Sequence, residues 1–135
     1  MDRPTVQAWL DRYSRAWETY DPAEIGELFA AEATYRYHPW DEGSAVMHGR
    51  DSIVKSWVAP DGVASGHDAE GTYEGRYEAF AVDGDRAVAV GRSTYWHDVT
   101  RATVRVIYHN VFLLEFDADG RCRSFTEVFA EQPKR

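Results

Sequence analysis

Glu32-Ala33-Thr34-Tyr35-Arg36-Tyr37-His38-Pro39-Trp40-Asp41-Glu42 is the stretch on which the fold depends. Proline has no N–H for a sheet ladder and biases the residue before it toward extended backbone, so a strand from Ala33 to Tyr37 ends at His38. A histidine is therefore expected at the mouth of a strand. What precedes this strand is helical. Between Thr5 and Tyr20 the apolar positions Val6, Trp9, Leu10, Tyr13, Ala16, Trp17 and Tyr20 recur at three- and four-residue steps, with Gln7, Asp11, Arg12, Ser14, Arg15 and Glu18 between them. Asp21-Pro22-Ala23-Glu24 then offers a cap acceptor, a proline at the first helical position and a glutamate at the third. A second helix is predicted there, with Ile25, Leu28 and Phe29 as its buried stripe and its end at Ala30 to Glu32.

Beyond the strand, Gly43 to Gly49 reads as loop. Ile53, Val54, Trp57 and Val58 predict a short third helix stopped by Pro60-Asp61-Gly62, and Asp61 to Glu70, which has no period, is expected to be a mobile loop. The rest reads as strand. Asp83-Gly84 is a hairpin signal and Asp117-Ala118-Asp119-Gly120 another turn, leaving strands of about Thr72 to Val82, Asp85 to Trp96, Thr103 to Phe116 and Arg121 to Ala130. Helices followed mostly by antiparallel strands predict an α+β domain, not an alternating parallel one.

The 135 residues suit one domain with a substantial core. Fifteen basic against 23 acidic residues give a formal charge of −8, which repels phosphate backbones and anionic lipid surfaces. Nucleic acid and membrane are not expected as partners. The start has no basic region before an apolar run, and no stretch approaches the ~20 apolar residues that span a bilayer, so a cytoplasmic location is expected. Cys122, the sole cysteine, reads as a small core filler in a strand.

Strand faces locate a candidate interior. In the third of the long strands Val104, Val106, Tyr108, Asn110, Phe112, Leu114 and Phe116 form the larger, more aromatic face and are assigned to the core. In the strand before it the bulkier set is Val88, Val90, Arg92, Thr94 and Trp96. A connection centred near Thr100 sets Arg92 opposite Tyr108 and turns that set inward. The opposite side, with Ile107, Val111 and Leu113 beside small residues, is too apolar to face water alone, and a homodimer through this outer sheet face is expected. Inside, Glu127 alternates with Phe125 and Phe129. Buried charges need partners, so Arg92 and Glu127 either pair with each other, capped by Tyr108, or serve a small-molecule cavity.

Several strings together resemble the nuclear transport factor 2-like superfamily, in particular its SnoaL-like members. They are Tyr13 and Trp17 on the first helix, Asp21-Pro22 before Leu28-Phe29-Ala30, and Ala33 through Trp40. His48-Gly49-Arg50-Asp51-Ser52-Ile53, Val82-Asp83-Gly84-Asp85-Arg86-Ala87 and Phe116-Asp117-Ala118-Asp119-Gly120-Arg121-Cys122 extend the likeness over almost the whole chain. The resemblance implies a cone of three helices packed on a curved, mostly antiparallel sheet. That fold hosts isomerases, dehydratases, epoxide hydrolases, cyclases and non-catalytic modules, so it does not itself give a function. Within the ketosteroid isomerase branch a helix-1 tyrosine and an acidic residue stabilise an enolate, and an aspartate just before a proline moves the proton. Asp11-Arg12-Tyr13 is similar to the tyrosine-bearing segment, which makes Tyr13 a candidate donor. His38 takes the pre-proline place. Phe112 stands where the acidic donor would be, and a phenyl ring cannot donate, so steroid isomerisation of that kind is not implied. The aspartate, arginine, aspartate set of a limonene-epoxide-hydrolase-like site has only Arg92 and Glu127 as candidate members.

Histidine as a residue type is suited to proton transfer near neutral pH, so His38 is the candidate general base, with Glu127 expected to orient it. Its structural alternative is a strand-end histidine bonded to a backbone carbonyl. Tyr13 is either a donor to a substrate carbonyl or a core tyrosine with a satisfied hydroxyl. Trp17, Tyr35, Tyr37, Trp40, Trp57, Phe112 and Phe125 are expected to wall the cavity, with Tyr108 and Asn110 on the same inward face. His48, His67, His97 and His109 have no metal-ligand spacing, and no phosphate loop or dinucleotide fingerprint is present, so neither metal nor cofactor is expected. Two functions remain open at this point. One is a cofactor-free acid/base enzyme on a small hydrophobic substrate, with His38, Tyr13, Arg92 and Glu127 at work; the other is a non-catalytic ligand-binding or dimeric module.

Overall fold

The computed structural model describes residues 1–58 and 71–134. The first helix, α1 (Arg3–Thr19), starts where the Asp2 carboxylate accepts the Thr5 N–H at 2.9 Å. It stops at Tyr20, which takes a left-handed φ of 51° and returns its N–H to the Ala16 carbonyl. This sharp end leads into Asp21, whose side chain accepts from the N–H groups of Ala23 and Glu24 and caps α2 (Pro22–Leu28). Both starts use the same device: a carboxylate satisfies N–H groups that a first turn leaves without partners.

The strand β1 (Phe29–Arg36) begins directly after α2, four residues earlier than the alternation suggests. Phe29 is wholly buried against Trp9 and Trp57, and its carbonyl accepts from Arg50 Nε at 3.0 Å. The helical stripe assigned to Phe29 is thus a sheet contact. A single 3₁₀ turn (Gly43–Ala45), a two-residue strand β2 (Met47–His48) and α3 (Arg50–Val58) follow, so the expected loop contains a short strand. The expected stop at Pro60 to Gly62 and the loop to Glu70 lie outside the described residues. Then come β3 (Tyr73–Asp83), β4 (Arg86–Trp96), β5 (Val104–Phe116) and β6 (Cys122–Glu131). Among the described residues no helix is long and apolar enough to cross a membrane.

The six strands form one curved sheet in the order β2-β1-β6-β5-β4-β3, antiparallel throughout except where β1 runs parallel to β6. Val6, Trp9, Leu10, Tyr13 and Ala16 of α1 are buried together with Ala79, Ala87, Ala89, Phe112, Leu114 and Phe125 of the sheet. The edge of β3 is covered by the same helix. Gln7 Nε2 donates to the Tyr77 carbonyl at 2.8 Å and Gln7 Oε1 accepts the Ala79 N–H at 3.0 Å, so one side chain stands in for a missing neighbour strand. Cys122 is buried in β6, as a core filler should be, and burial pushes its thiol well up in pKa.

The expected facing of β4 is corrected by a bulge. Trp96 pairs with Val104, in the register centred on residue 100, but Tyr95 pairs with Val106. Arg105 is the extra residue, and a one-residue slip turns every side chain beyond it to the other face. The small set therefore looks inward. Ala87, Ala89, Gly91 and Ser93 oppose Leu114, Phe112, Asn110 and Tyr108, while Arg92 pairs with His109 and is exposed on the outer face. Small residues suit the inner face because α1 and the large side chains of β5 fill the space in front of them. Arg92 accordingly forms no interior pair with Glu127.

Candidate active site

One end of the concave face stays open as a cavity of about 210 Å³ lined by Tyr13, Trp17, Tyr35, Tyr37, Ser93, Tyr95, Tyr108, Asn110, Glu127 and Phe129. Its walls come from α1, β1, β4, β5 and β6, so it depends on the whole sheet and not on one loop. Behind the walls lies a second layer of rings. Trp17 stacks on Trp57 with ring centroids 3.9 Å apart, and Tyr35 lies parallel to Phe125 at 4.3 Å. Phe112 packs against Tyr13 at 5.1 Å and Tyr77 at 4.6 Å. Offset and edge contacts of this kind fix ring orientation more tightly than aliphatic packing does.

Among the described residues Glu127 is the one carboxyl on the lining. Among the described residues none gives it a hydrogen bond or an ion pair, and burial alone pushes its pKa from 4.5 up to about 7. Its charge in turn helps to hold neighbouring phenols neutral. The Tyr13 hydroxyl is raised well above its ordinary value, first by burial and then by Tyr35 and Glu127. Tyr35 is raised by burial, Tyr37 and Glu127, and Tyr37, likewise by burial and Glu127, reaches about 12. These tyrosines are neutral donors at any physiological pH.

The floor carries a polar relay. Asn110 Nδ2 donates to the Tyr77 hydroxyl and reaches Ser93 Oγ at 3.5 Å, and Tyr77 and Ser93 are hydrogen-bonded to each other. Asn110 Oδ1 is buried without a hydrogen-bond partner among the described residues, and the Tyr35 hydroxyl is buried beside that of Tyr13.

Of the candidates read from sequence, Tyr13, Trp17, Tyr35, Tyr108, Asn110 and Glu127 meet at this cavity. Trp57, Phe112 and Phe125 are wholly buried behind it and support its walls. Trp40 is 75% exposed and stacks outward on His38, so it walls nothing. β1 ends at Arg36, one residue before the expected Tyr37, and His38 lies in the bend that follows, where its partner is Asp41, not Glu127. Asp41 accepts the His38 backbone N–H at 3.1 Å and faces Nδ1 at 3.2 Å. The turn after Pro39 closes that pair locally, and the His38 ring lies 5.5 Å from the Phe129 ring on the rim. Arg92 lies on the far side of the sheet in a groove with Arg76 and His109. Ser93, which a register centred on Thr100 turns outward with the other small residues, lies on the inner face, and Tyr95 joins it at the cavity. The signal for them was the row of small residues in β4, which matches the bulky row of β5.

Solved structures share this architecture. A nuclear transport factor 2-like protein of unknown function from Burkholderia xenovorans LB400 superposes with a TM-score of 0.65 at 14% identity, covering 98% of this chain and 88% of that one. A candidate polyketide cyclase from Sinorhizobium meliloti gives 0.58 at 20% identity, over 90% and 94%. A protein of unknown function with a cystatin-like fold from Methylobium petroleophilum PM1 gives 0.60 at 19%, over 100% and 81%. No functionally curated protein matches the chain in sequence. The profile of the SnoaL-like domain matches residues 10–125, and the chain belongs to the SnoaL-like family within the nuclear transport factor 2-like superfamily.

Proposed function

We propose that the chain is a cofactor-independent acid/base enzyme acting on a small, largely hydrophobic carbonyl compound, with Glu127 as the group that moves the proton. The observation that carries this reading is the Glu127 carboxyl, buried in an aromatic cavity and unpaired among the described residues, a setting that pushes its pKa up to about 7. A group poised there is present in both forms at neutral pH and can take a proton in one step and return it in the next. The carboxylate removes a proton from the carbon beside the substrate carbonyl. The electron pair moves onto the carbonyl oxygen, and the Tyr13 and Tyr35 hydroxyls hydrogen-bond the developing oxyanion while remaining neutral. Protonated Glu127 then delivers the proton to the carbon or oxygen that completes an isomerisation, cyclisation or elimination. His38 and Arg92 have no part in these steps.

The test is exchange of the protons beside the carbonyl of acetophenone or cyclohexanone in deuterium oxide, followed by NMR. Wild-type protein accelerates exchange, Glu127→Gln abolishes the acceleration, and Tyr35→Phe lowers it. Ketones that bind without exchanging would make the chain a binding module instead.

The outer sheet face bears on assembly. Leu113 is 46% and Val128 39% exposed there, with Val88, Val90 and Val111 half-buried beside them. A second copy of the chain is the partner proposed for this face, in line with the apolar character read from its sequence.

A further inference from the structure

The cavity, read as a small-molecule site, also selects its ligands by charge, and this inference rests on that reading. Among the described residues, seven of the ten on its lining are aromatic, one is a carboxylic acid and none is arginine, lysine or histidine. Ring faces attract a cation, more strongly where water is excluded. Glu127, once ionised, attracts the same ligand with a full charge. Both features disfavour an anion.

Glu127 is also within reach of a ligand. Asn110 Oδ1 and the Tyr35 hydroxyl have almost no accessible surface, whereas the Glu127 carboxyl belongs to a half-buried residue and is not enclosed in that way. Burial favours its protonated form because no cation among the described residues pairs with it. An ammonium group in the cavity supplies that charge, and its N–H gives the carboxylate a hydrogen bond. The titratable groups around Glu127 are phenols: Tyr13 on α1, Tyr35 and Tyr37 on β1, Tyr77 on β3, Tyr95 on β4 and Tyr108 on β5. A phenol is never a cation, so none of them serves as the counter-ion.

Size and surroundings narrow the choice. An apolar cavity of about 150 Å³ takes up benzene, so one of about 210 Å³ holds a single ring with a short substituent. Outside it, the formal charge of −8 draws cations toward the protein.

We infer that the cavity binds small hydrophobic amines in their protonated form, the ammonium paired with the Glu127 carboxylate and the carbon skeleton against the rings. Such an amine takes the place of the carbonyl compound and holds the base in an ion pair, so it inhibits the reaction proposed above.

Calorimetric titration with benzylamine, benzyl alcohol and benzoate tests this, since the three differ chiefly in charge. At pH 8 benzylamine should bind at least about tenfold more tightly than benzyl alcohol, and benzoate more weakly than both. Below pH 7 benzylamine affinity should fall, by up to about tenfold per pH unit, because binding must then displace the proton from Glu127. Glu127→Gln should erase both the preference for the amine and its pH dependence. Should that variant fail to fold, wild-type protein should release about one proton per benzylamine bound at pH 6, measured in buffers of different ionisation heat. Benzyl alcohol binding as tightly as benzylamine, or an amine affinity indifferent to pH, would overturn the inference. So would equal amine affinity in Glu127→Gln, the mark of a cation drawn only to the acidic surface. Binding is read here without turnover. Amine binding without any ketone exchange keeps the ligand class and removes the catalytic reading, and exchange without amine binding does the reverse.

Discussion

Glu127 stands directly opposite Phe112 in the antiparallel ladder of β5 and β6. A carboxyl set against a wholly buried phenyl ring, with aromatic walls around it, loses hydration and gains no cation in return. Its raised pKa has a consequence for stability. Between pH 4.5 and about 7 the folded chain keeps a proton that the unfolded chain has released, so this contribution is complete below 4.5 and is lost as pH rises through about 7. The slope reaches at most about 1.4 kcal/mol per pH unit. Glu127→Gln should remove the slope and be the more stable protein at alkaline pH, as read by urea denaturation across the window. An interior ion pair with Arg92, one of the two alternatives the sequence leaves open, would have given the opposite sign, a loss of stability on neutralising Glu127.

His38→Ala should leave ketone exchange within about threefold of wild type, since the imidazole is held by Asp41 and His38 is not among the residues that line the cavity. A loss of about a hundredfold or more in exchange rate, with the fold intact, would restore the histidine as the base.

Gly91→Ala should destabilise the fold by about 1–3 kcal/mol, the usual range for overpacking. Gly91 pairs with Tyr77 across β3, and a Cβ there would collide with the Arg76 carbonyl oxygen and come within 2.5 Å of Tyr77 Cδ1. Backbone cannot step aside as a side chain can. Denaturant midpoints of the two proteins give the difference, and an unchanged midpoint would contradict this register.

Sedimentation at increasing concentration should give a species of twice the 15.4 kDa chain, and replacing Leu113 on the outer face with glutamate should return it to monomer. A monomer at every concentration would remove the proposed self-association.

Much of this architecture was legible in the sequence because local signals and burial agree there. Asp21 caps where a capping residue should, and the heptad-like spacing from Val6 to Ala16 is the buried face of α1. The turn after Asp83 forms, with Gly84 and Asp85 as its two loop residues and Gly84 at a φ of 62°. What local pattern could not carry was register. Arg105 looks like one more alternating residue in β5, and only the pairing on either side of it reveals the bulge that places Ser93 and Tyr95 inside and Arg92 outside. The site suffered in the same way. His38 was attractive for its chemistry and its proline neighbour, yet a turn of three residues gave it a closer acid than any in the cavity. Glu127 was found because it interrupts an aromatic alternation in β6, although its isolation from any cation is visible only in three dimensions.

The account rests on the state of one carboxyl, and carbon NMR of the side-chain carboxyls across a pH titration observes it directly, with Glu127→Gln to assign the signal. A midpoint near 7 is expected for Glu127. A midpoint at the ordinary 4.5 would mean that the carboxylate is solvated or paired, and the proposed acid/base role would fall with it.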